Sequence, residues 1–244
     1  MPPSVVRTNR SKRAIGIGIN TGGCMLVHRI RVFIALVVLG GLPAFVGAAT
    51  NHSEISGKVS LTTGSGQSLA PGEVTDTLVY FVPKHGKVRV HPGTYTIYTV
   101  NMDFRPAAMA IPMGSTVKFT NLDQLLHNLY SATPDSTFDF QFQASGQSVA
   151  HTFTHAGPVL ISCNVHRSME LDLLVVPTPY MTQVSADGSF SLRGLPPGPG
   201  TLYFWNPRAA LSQQSVSVPA SAVEQQLVAM KPRVATELNV SNKR

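Results

Sequence analysis

Alternating apolar and polar residues in short runs, dense glycine and proline punctuation, and almost no helical period predict an all-β chain built as a β-sandwich. The 20 Gly and 18 Pro place turn formers between successive apolar runs. Ile55, Gly57, Val59 and Leu61 alternate with polar residues, and Thr62 to Gln67 is a Gly/Ser-rich turn. Leu78 to Val82 forms a compact apolar strand. Val117 and Phe119 alternate before Asn121, as do Phe138, Phe140 and Phe142 in FDFQF. Val149 to Phe153 and Val159 to Cys163 are separated by Ala156-Gly157-Pro158, and Leu171 to Val176 follows. Further on, Asp187-Gly188 is a hairpin signal between Met181 to Val184 and Phe190 to Leu192. Thr201 to Trp205, Val216 with Val218, and Leu227 to Met230 add strands, although a weak helical period runs around Ala222 to Met230.

Composition excludes two classes. With 43% hydrophobic and 13% charged residues, the chain can bury a core and is not disordered. The formal charge of +7 arises in the first 48 residues, which hold Arg7, Arg10, Lys12, Arg13, Arg29 and Arg31 and no acid. Without these six, thirteen bases face twelve acids, so the high pI is no argument for nucleic acid as a partner.

That basic segment has the features of an export signal. His28 to Arg31 form a positive region, Val32 to Val46 an apolar core, and Val46-Gly47-Ala48 a small-residue cleavage site. Cleavage is expected after Ala48 or Ala49, leaving no stable membrane span. The uncharged run is near the spanning minimum of about 18 residues, so a retained anchor is the competing reading. Gly40, Gly41 and Pro43 favour cleavage, and Met25 is an alternative start. A periplasmic or otherwise exported location is expected. Cys24 lies in the leader, so the mature chain has one cysteine, Cys163. A lone thiol in an oxidising compartment calls for a reason, and metal ligation is one.

The neighbours of Cys163 supply that reason. Cys163-Asn164-Val165-His166-Arg167-Ser168-Met169 spells C-x-x-H-x-x-M, and His127 lies 36 residues before the cysteine. Two imidazoles, a thiolate and a thioether are the donor set of a type 1 (blue) copper site, in which a weak axial Met completes a trigonal plane. Cys163 ends a strand, three loop residues return His166 to it, and three more deliver Met169 to the next strand. His127 must come from another strand, which fixes the metal between two pieces of scaffold. Zinc is the chemical rival, since Cys and two His also suit it, but Met is a poor fourth ligand for zinc. His151 and His155 flank a strand and are expected to face solvent; His52, His85 and His91 have no partner spacing. Asn128 is expected to bond to Asn164 and tie the two ligand loops together, and backbone N–H groups near Asn164 to donate to the sulfur. Nothing resembles an acid/base pair, a nucleophile triad or a phosphate loop. Four protein ligands leave no easily opened position, so the chain reads as a non-enzyme.

From Tyr95 to Val176 the chain resembles a cupredoxin of the plastocyanin and amicyanin kind. The resemblance is carried by Phe104-Arg105-Pro106, Gly114 to Asn121, His127-Asn128, Gly157 and the C-x-x-H-x-x-M loop. It implies a Greek-key sandwich, one type 1 copper per chain, equatorial His127, Cys163 and His166, and axial Met169. In two places the chain departs from the family pattern. Arg167-Ser168 replaces Pro-rich apolar residues, and Asn164 replaces the usual Thr or Ser. The loop edge is therefore expected to be more polar than in the small carriers, with Arg167 as a docking residue. The whole also resembles longer cupredoxin-bearing methylamine utilisation proteins. ISGKVS, VYF, ADGSFSLRGLPPG and LYFW resemble a carboxypeptidase-regulatory-like (transthyretin-like) sandwich split into two pieces.

The expected organisation is a leader over 1–48, an N-terminal β segment over 49–85, a cupredoxin domain over 86–177, a C-terminal β segment over 178–234 packing with 49–85 as a second small sandwich, and a tail over 235–244. One module followed by a C-terminal extension is the alternative. The resemblance implies one-electron transfer between Cu(I) and Cu(II), with His166 as the electron exit and a redox protein such as a cytochrome or dehydrogenase as partner. The other function class is a copper-binding or structural module of a larger exported assembly.

Overall fold

A computed structural model describes residues 53–64 and 67–231. The expected leader, its cleavage site, the Met25 start and the 235–244 tail lie outside the described residues. Sixteen strands and one 3-10 turn, Glu73–Asp76, account for the described regular structure. Among these residues no helix is long and apolar enough to cross a membrane. The all-β expectation therefore holds, and the strands form four sheets.

Two sheets draw their strands from both ends of the chain. β1 (Ile55–Thr63) and β2 (Leu78–Pro83) come first; β12 (Met181–Gln183), β13 (Ser189–Leu192), β14 (Gly198–Trp205), β15 (Ser212–Val218) and β16 (Ala220–Ala229) come last. They are ordered β13-β1-β16 and β12-β2-β14-β15. β1 runs antiparallel to β13 and parallel to β16, setting Ile55 opposite Leu192 and Leu61 opposite Leu227. Between these sheets lie Ile55, Val59, Phe81, Phe190, Leu202, Phe204 and Leu227. Gly57 is required here, because a Cβ would come within 2.0 Å of the Val223 carbonyl oxygen on β16. The Asp187-Gly188 hairpin forms with Gly188 at φ 85°, and the Asp187 carboxylate accepts from the Ser189 N–H at 3.0 Å.

Between β2 and β12 the chain builds the other two sheets. Their strands are β3 (Thr94–Thr99), β4 (Phe104–Arg105), β5 (Ala108–Pro112), β6 (Thr116–Asn121), β7 (His127–Ser131), β8 (Phe138–Gln143), β9 (Ser148–Thr152), β10 (Gly157–Cys163) and β11 (Glu170–Val176). The orders are β4-β3-β6-β9 and β5-β11-β10-β7-β8. Ile97, Phe104, Val117, Phe119, Leu129, Phe153, Ile161 and Leu171 fill this second core. Leu78, Leu174, Val176 and Trp205 form a smaller cluster in which β2 and β14 meet β11.

The strand expected over Leu227 to Met230 forms through Ala229 despite the weak helical period around it. The stretch with a weak helical period, Ala222 to Met230, lies almost wholly within β16. Leu227 and Ala229 are buried while Gln226 and Val228 are exposed, an alternation set by pairing with β1 that a single-strand reading misses.

Candidate metal centre

Two strand junctions meet at one end of the central sandwich. β6 ends at Asn121 and a short loop leads into β7 at His127; β10 ends at Cys163 and a second loop leads into β11. β7 and β10 are antiparallel neighbours with Leu129 opposite Cys163. His127 shares the inward parity of Leu129, so both ligand candidates face the same core. His127 is fully buried, Cys163 is 3% exposed, and His166 is half-buried. Met169 is fully buried in the same apolar cluster as Cys163, and its N–H donates to the His166 carbonyl at 3.1 Å.

The side chains converge. His127 Nδ1 lies 3.7 Å from Cys163 Sγ, His166 Nδ1 lies 3.9 Å from it, and the two Nδ1 atoms are 3.1 Å apart. A metal bound at about 2.0–2.3 Å by nitrogen and sulfur sets neighbouring donors roughly 3.3–3.7 Å apart, and the three separations straddle that range. Among the described residues this is the one group of three or more His, Cys, Asp or Glu side chains spaced to hold a metal ion. Two ring nitrogens and a thiolate sulfur aimed at one point fit a soft or borderline transition metal.

The electrostatics prepare the sulfur. Burial pushes the Cys163 thiol up, but the His127 ring and the backbone N–H groups of His166, Asn128 and Val165 outweigh it and bring it down to about 6. The thiolate, which is the ligating form, therefore predominates at neutral pH. Burial works against protonation of His127, yet its contacts with Cys163 and Asp123 raise its pKa on balance. Burial likewise raises the Asp123 carboxyl, but the N–H groups of Met102 and Asn101 and the His127 ring hold it below its ordinary value.

Three supports lie around these residues. Asp123 Oδ2 sits 2.9 Å from His127 Nε2, fixing the ring so that Nδ1 faces the cluster. Asn121, 1% exposed, anchors that loop: its Oδ1 accepts from the Asp123 N–H at 2.9 Å and from Thr99 Oγ1 at 3.0 Å, while Nδ2 donates to the Leu125 and Gln143 carbonyls. Asn128 and Asn164 join the two loops through Asn164 N–H to the Asn128 carbonyl, 3.0 Å, and Asn164 Nδ2 to Asn128 Oδ1, 2.5 Å. Asn128 Nδ2 in turn donates to Asp139 Oδ1 on β8 at 2.5 Å.

Asp123 was not among the residues singled out from sequence. Its signal is the Asn-x-Asp-x-x-x-His spacing after a strand end, which suits an Asx turn feeding the histidine. Arg167 is exposed on the second loop. Leu122, Leu125, Leu126 and Val165 are also exposed on the two loops, at 52%, 47%, 52% and 44%. His151 does not face open solvent: it is half-buried, its ring centroid 4.6 Å from that of Phe138 in a tilted contact and 4.8 Å from that of Phe153 edge-on, and burial lowers its pKa. His155 is exposed, beside Thr154.

No family model matches the chain, and no curated protein does. Solved structures similar to it include cupredoxins. An oxidised amicyanin variant is 20% identical, with a TM-score of 0.32 over 34% of this chain and 82% of that one. The purple cupredoxin from Nitrosopumilus maritimus is 23% identical, with a TM-score of 0.30 over 34% of this chain and 99% of that one. The copper-containing nitrite reductase from Thermus scotoductus SA-01 is 20% identical, with a TM-score of 0.32 over 48% of this chain and 28% of that one.

Proposed function

We propose that this chain is an exported type 1 copper protein that transfers single electrons and is not itself an enzyme. The observation that carries the reading is the convergence of His127 Nδ1, Cys163 Sγ and His166 Nδ1 within 4.8 Å of one another. Met169, buried at the end of the same loop, is the fourth donor. A thioether is a weak, soft donor that suits copper and suits zinc poorly. Bound copper supplies one-electron chemistry by cycling between Cu(I) and Cu(II).

The protein's own residues do the rest. Asp123 and the Asn128–Asn164 pair hold the donors in place, so little rearrangement accompanies a change of charge. His127, Cys163 and Met169 are buried, which keeps water from these side chains. His166, half-buried on its loop, is the route by which an electron reaches a partner, and exposed Val165 and Arg167 flank it. The partner is a redox protein of the same compartment, of the cytochrome or dehydrogenase class. The alternative, a copper-binding or structural module of a larger assembly, is favoured by the second sandwich with its own core.

Electron exchange separates the two. Copper-reduced protein mixed with a soluble cytochrome is expected to reoxidise bimolecularly. Arg167→Glu should slow the reaction several-fold at low salt, with the difference shrinking as salt rises because the charge is exposed. Equal rates across the salt series would remove Arg167 from docking, and no exchange with any compartment cytochrome would favour the module.

A further inference from the structure

Gln143 is the last residue of β8 and stands directly opposite His127 in the β7–β8 ladder. Directly opposed residues of an antiparallel pair project on the same face of the sheet. A bulge sets this register. Asn128 pairs with Phe142 and Tyr130 with Asp139, so Leu129 alone faces both Phe140 and Gln141, and Gln141 takes φ 60°. The extra residue reverses the side-chain alternation. Phe138 and Phe140 pack on the core, Phe142 turns outward at 67% exposed, and Gln143 turns inward at 2% exposed. Without the bulge, Phe142 would take the inward place and Gln143 would face water.

A glutamine aimed inward beside a ligand histidine is a demanding choice. Its backbone carbonyl accepts from Asn121 Nδ2 at 3.0 Å, so the main chain is satisfied. Among the described residues neither Oε1 nor Nε2 of its side chain has a hydrogen-bond partner, and they are the two buried side-chain atoms in that position. Leucine or methionine would fill a similar volume at no polar cost. Unpartnered buried polar groups of this kind mark a functional site or an unseen partner.

Resting on the copper reading above, we propose that Gln143 is a positioning residue of the metal centre, its buried carboxamide set beside His127 so that its dipole tunes the loaded site. In a buried setting a fixed dipole acts on a neighbouring charge far more strongly than in water. The centre gains one positive charge on going from Cu(I) to Cu(II), so a fixed dipole beside it changes the balance between the two states and with it the reduction potential.

The test uses the full mature chain loaded with Cu(II). Gln143→Leu and Gln143→Met keep the bulk of the side chain and remove the carboxamide. Each is expected to bind one copper and remain blue, to shift both its potential and its EPR hyperfine splitting away from wild type, and to melt no lower than wild type. A folded, blue variant with the potential and EPR spectrum of wild type would overturn the assignment. Failure of both variants to fold, read by circular dichroism, would make Gln143 a residue of the fold and also overturn it. A wild-type protein that takes up Cu(II) without a thiolate-to-copper band would overturn the copper reading itself, and this inference with it.

Discussion

At Cys163 burial and ionisation pull against each other. The apolar core around the sulfur disfavours a charge, and one imidazole and three backbone N–H groups restore it. A sulfur so prepared needs little proton release to take a metal at neutral pH. Met169 acts differently: it is fully buried and offers only a thioether. Met169→Gln should keep copper but lower its potential, because an oxygen donor favours Cu(II). Voltammetry checks this, and an unchanged potential and spectrum would make Met169 a core residue. At this scale the sequence was legible where chemistry lies in residue type and local spacing. Cys163 and His166 are three apart, and one turn brings them together. Asp123 and Gln143 were not legible, because their roles depend on where other strands place them. Nothing in FDFQFQ says that a bulge at Gln141 turns Gln143 inward.

Among the elements, the junctions matter more than the strands. Asn128 joins three of them, accepting from Asn164 on the second loop and donating to Asp139 on β8. Asn128 is 7% exposed while its partners Asn164 and Asp139 are exposed, so truncation removes two hydrogen bonds and the tie between the loops. Asn128→Ala should destabilise by about 1–3 kcal/mol in urea unfolding and accelerate copper loss to a chelator. Unchanged copper release would confine the residue to folding. Period-2 patterns made β1, β6 and β8 readable from sequence, and short apolar runs between turn formers made β2, β10 and β11 readable. The Ala222 to Met230 stretch was ambiguous because its polar face, rich in Gln and Ala, suits helix or strand alike. Its long parallel pairing with β1, from Gly57 opposite Val223 to Thr63 opposite Ala229, decides for strand. No local signal reports that pairing.

For the molecule as a whole, the chain leaves one pair of sheets after β2 and returns to it at β12, so two cores share a single polypeptide. A cleft of about 630 Å³ is lined by residues from both, among them Glu73, Arg105, Glu170, Asp172 and Arg208. Burial, then the nearby Glu170 carboxylate, pushes the Asp172 carboxyl up to about 6. The folded state therefore binds this proton more tightly than the unfolded chain. Its charge penalty is absent at pH below the unfolded carboxylate value and grows as pH rises through 6. Asp172→Asn should stabilise the protein by about 1–2 kcal/mol at pH 7.5, after allowance for solvent at its half-open side, and by almost nothing near pH 3.5. Thermal melts at the two pH values test the sign, and an equal gain at both would contradict it. The proposed electron transfer depends on the converging His127, Cys163 and His166 binding a single copper through a short thiolate bond. The most direct measurement is the EPR spectrum of mature protein given one equivalent of Cu(II), beside Cys163→Ser. One copper per chain, an intense visible band and narrow copper hyperfine splitting are expected in the wild type, with the band and the narrow splitting lost from the serine variant. A wide, ordinary hyperfine splitting with no visible band in the wild type, or a serine variant that stays blue, would contradict this.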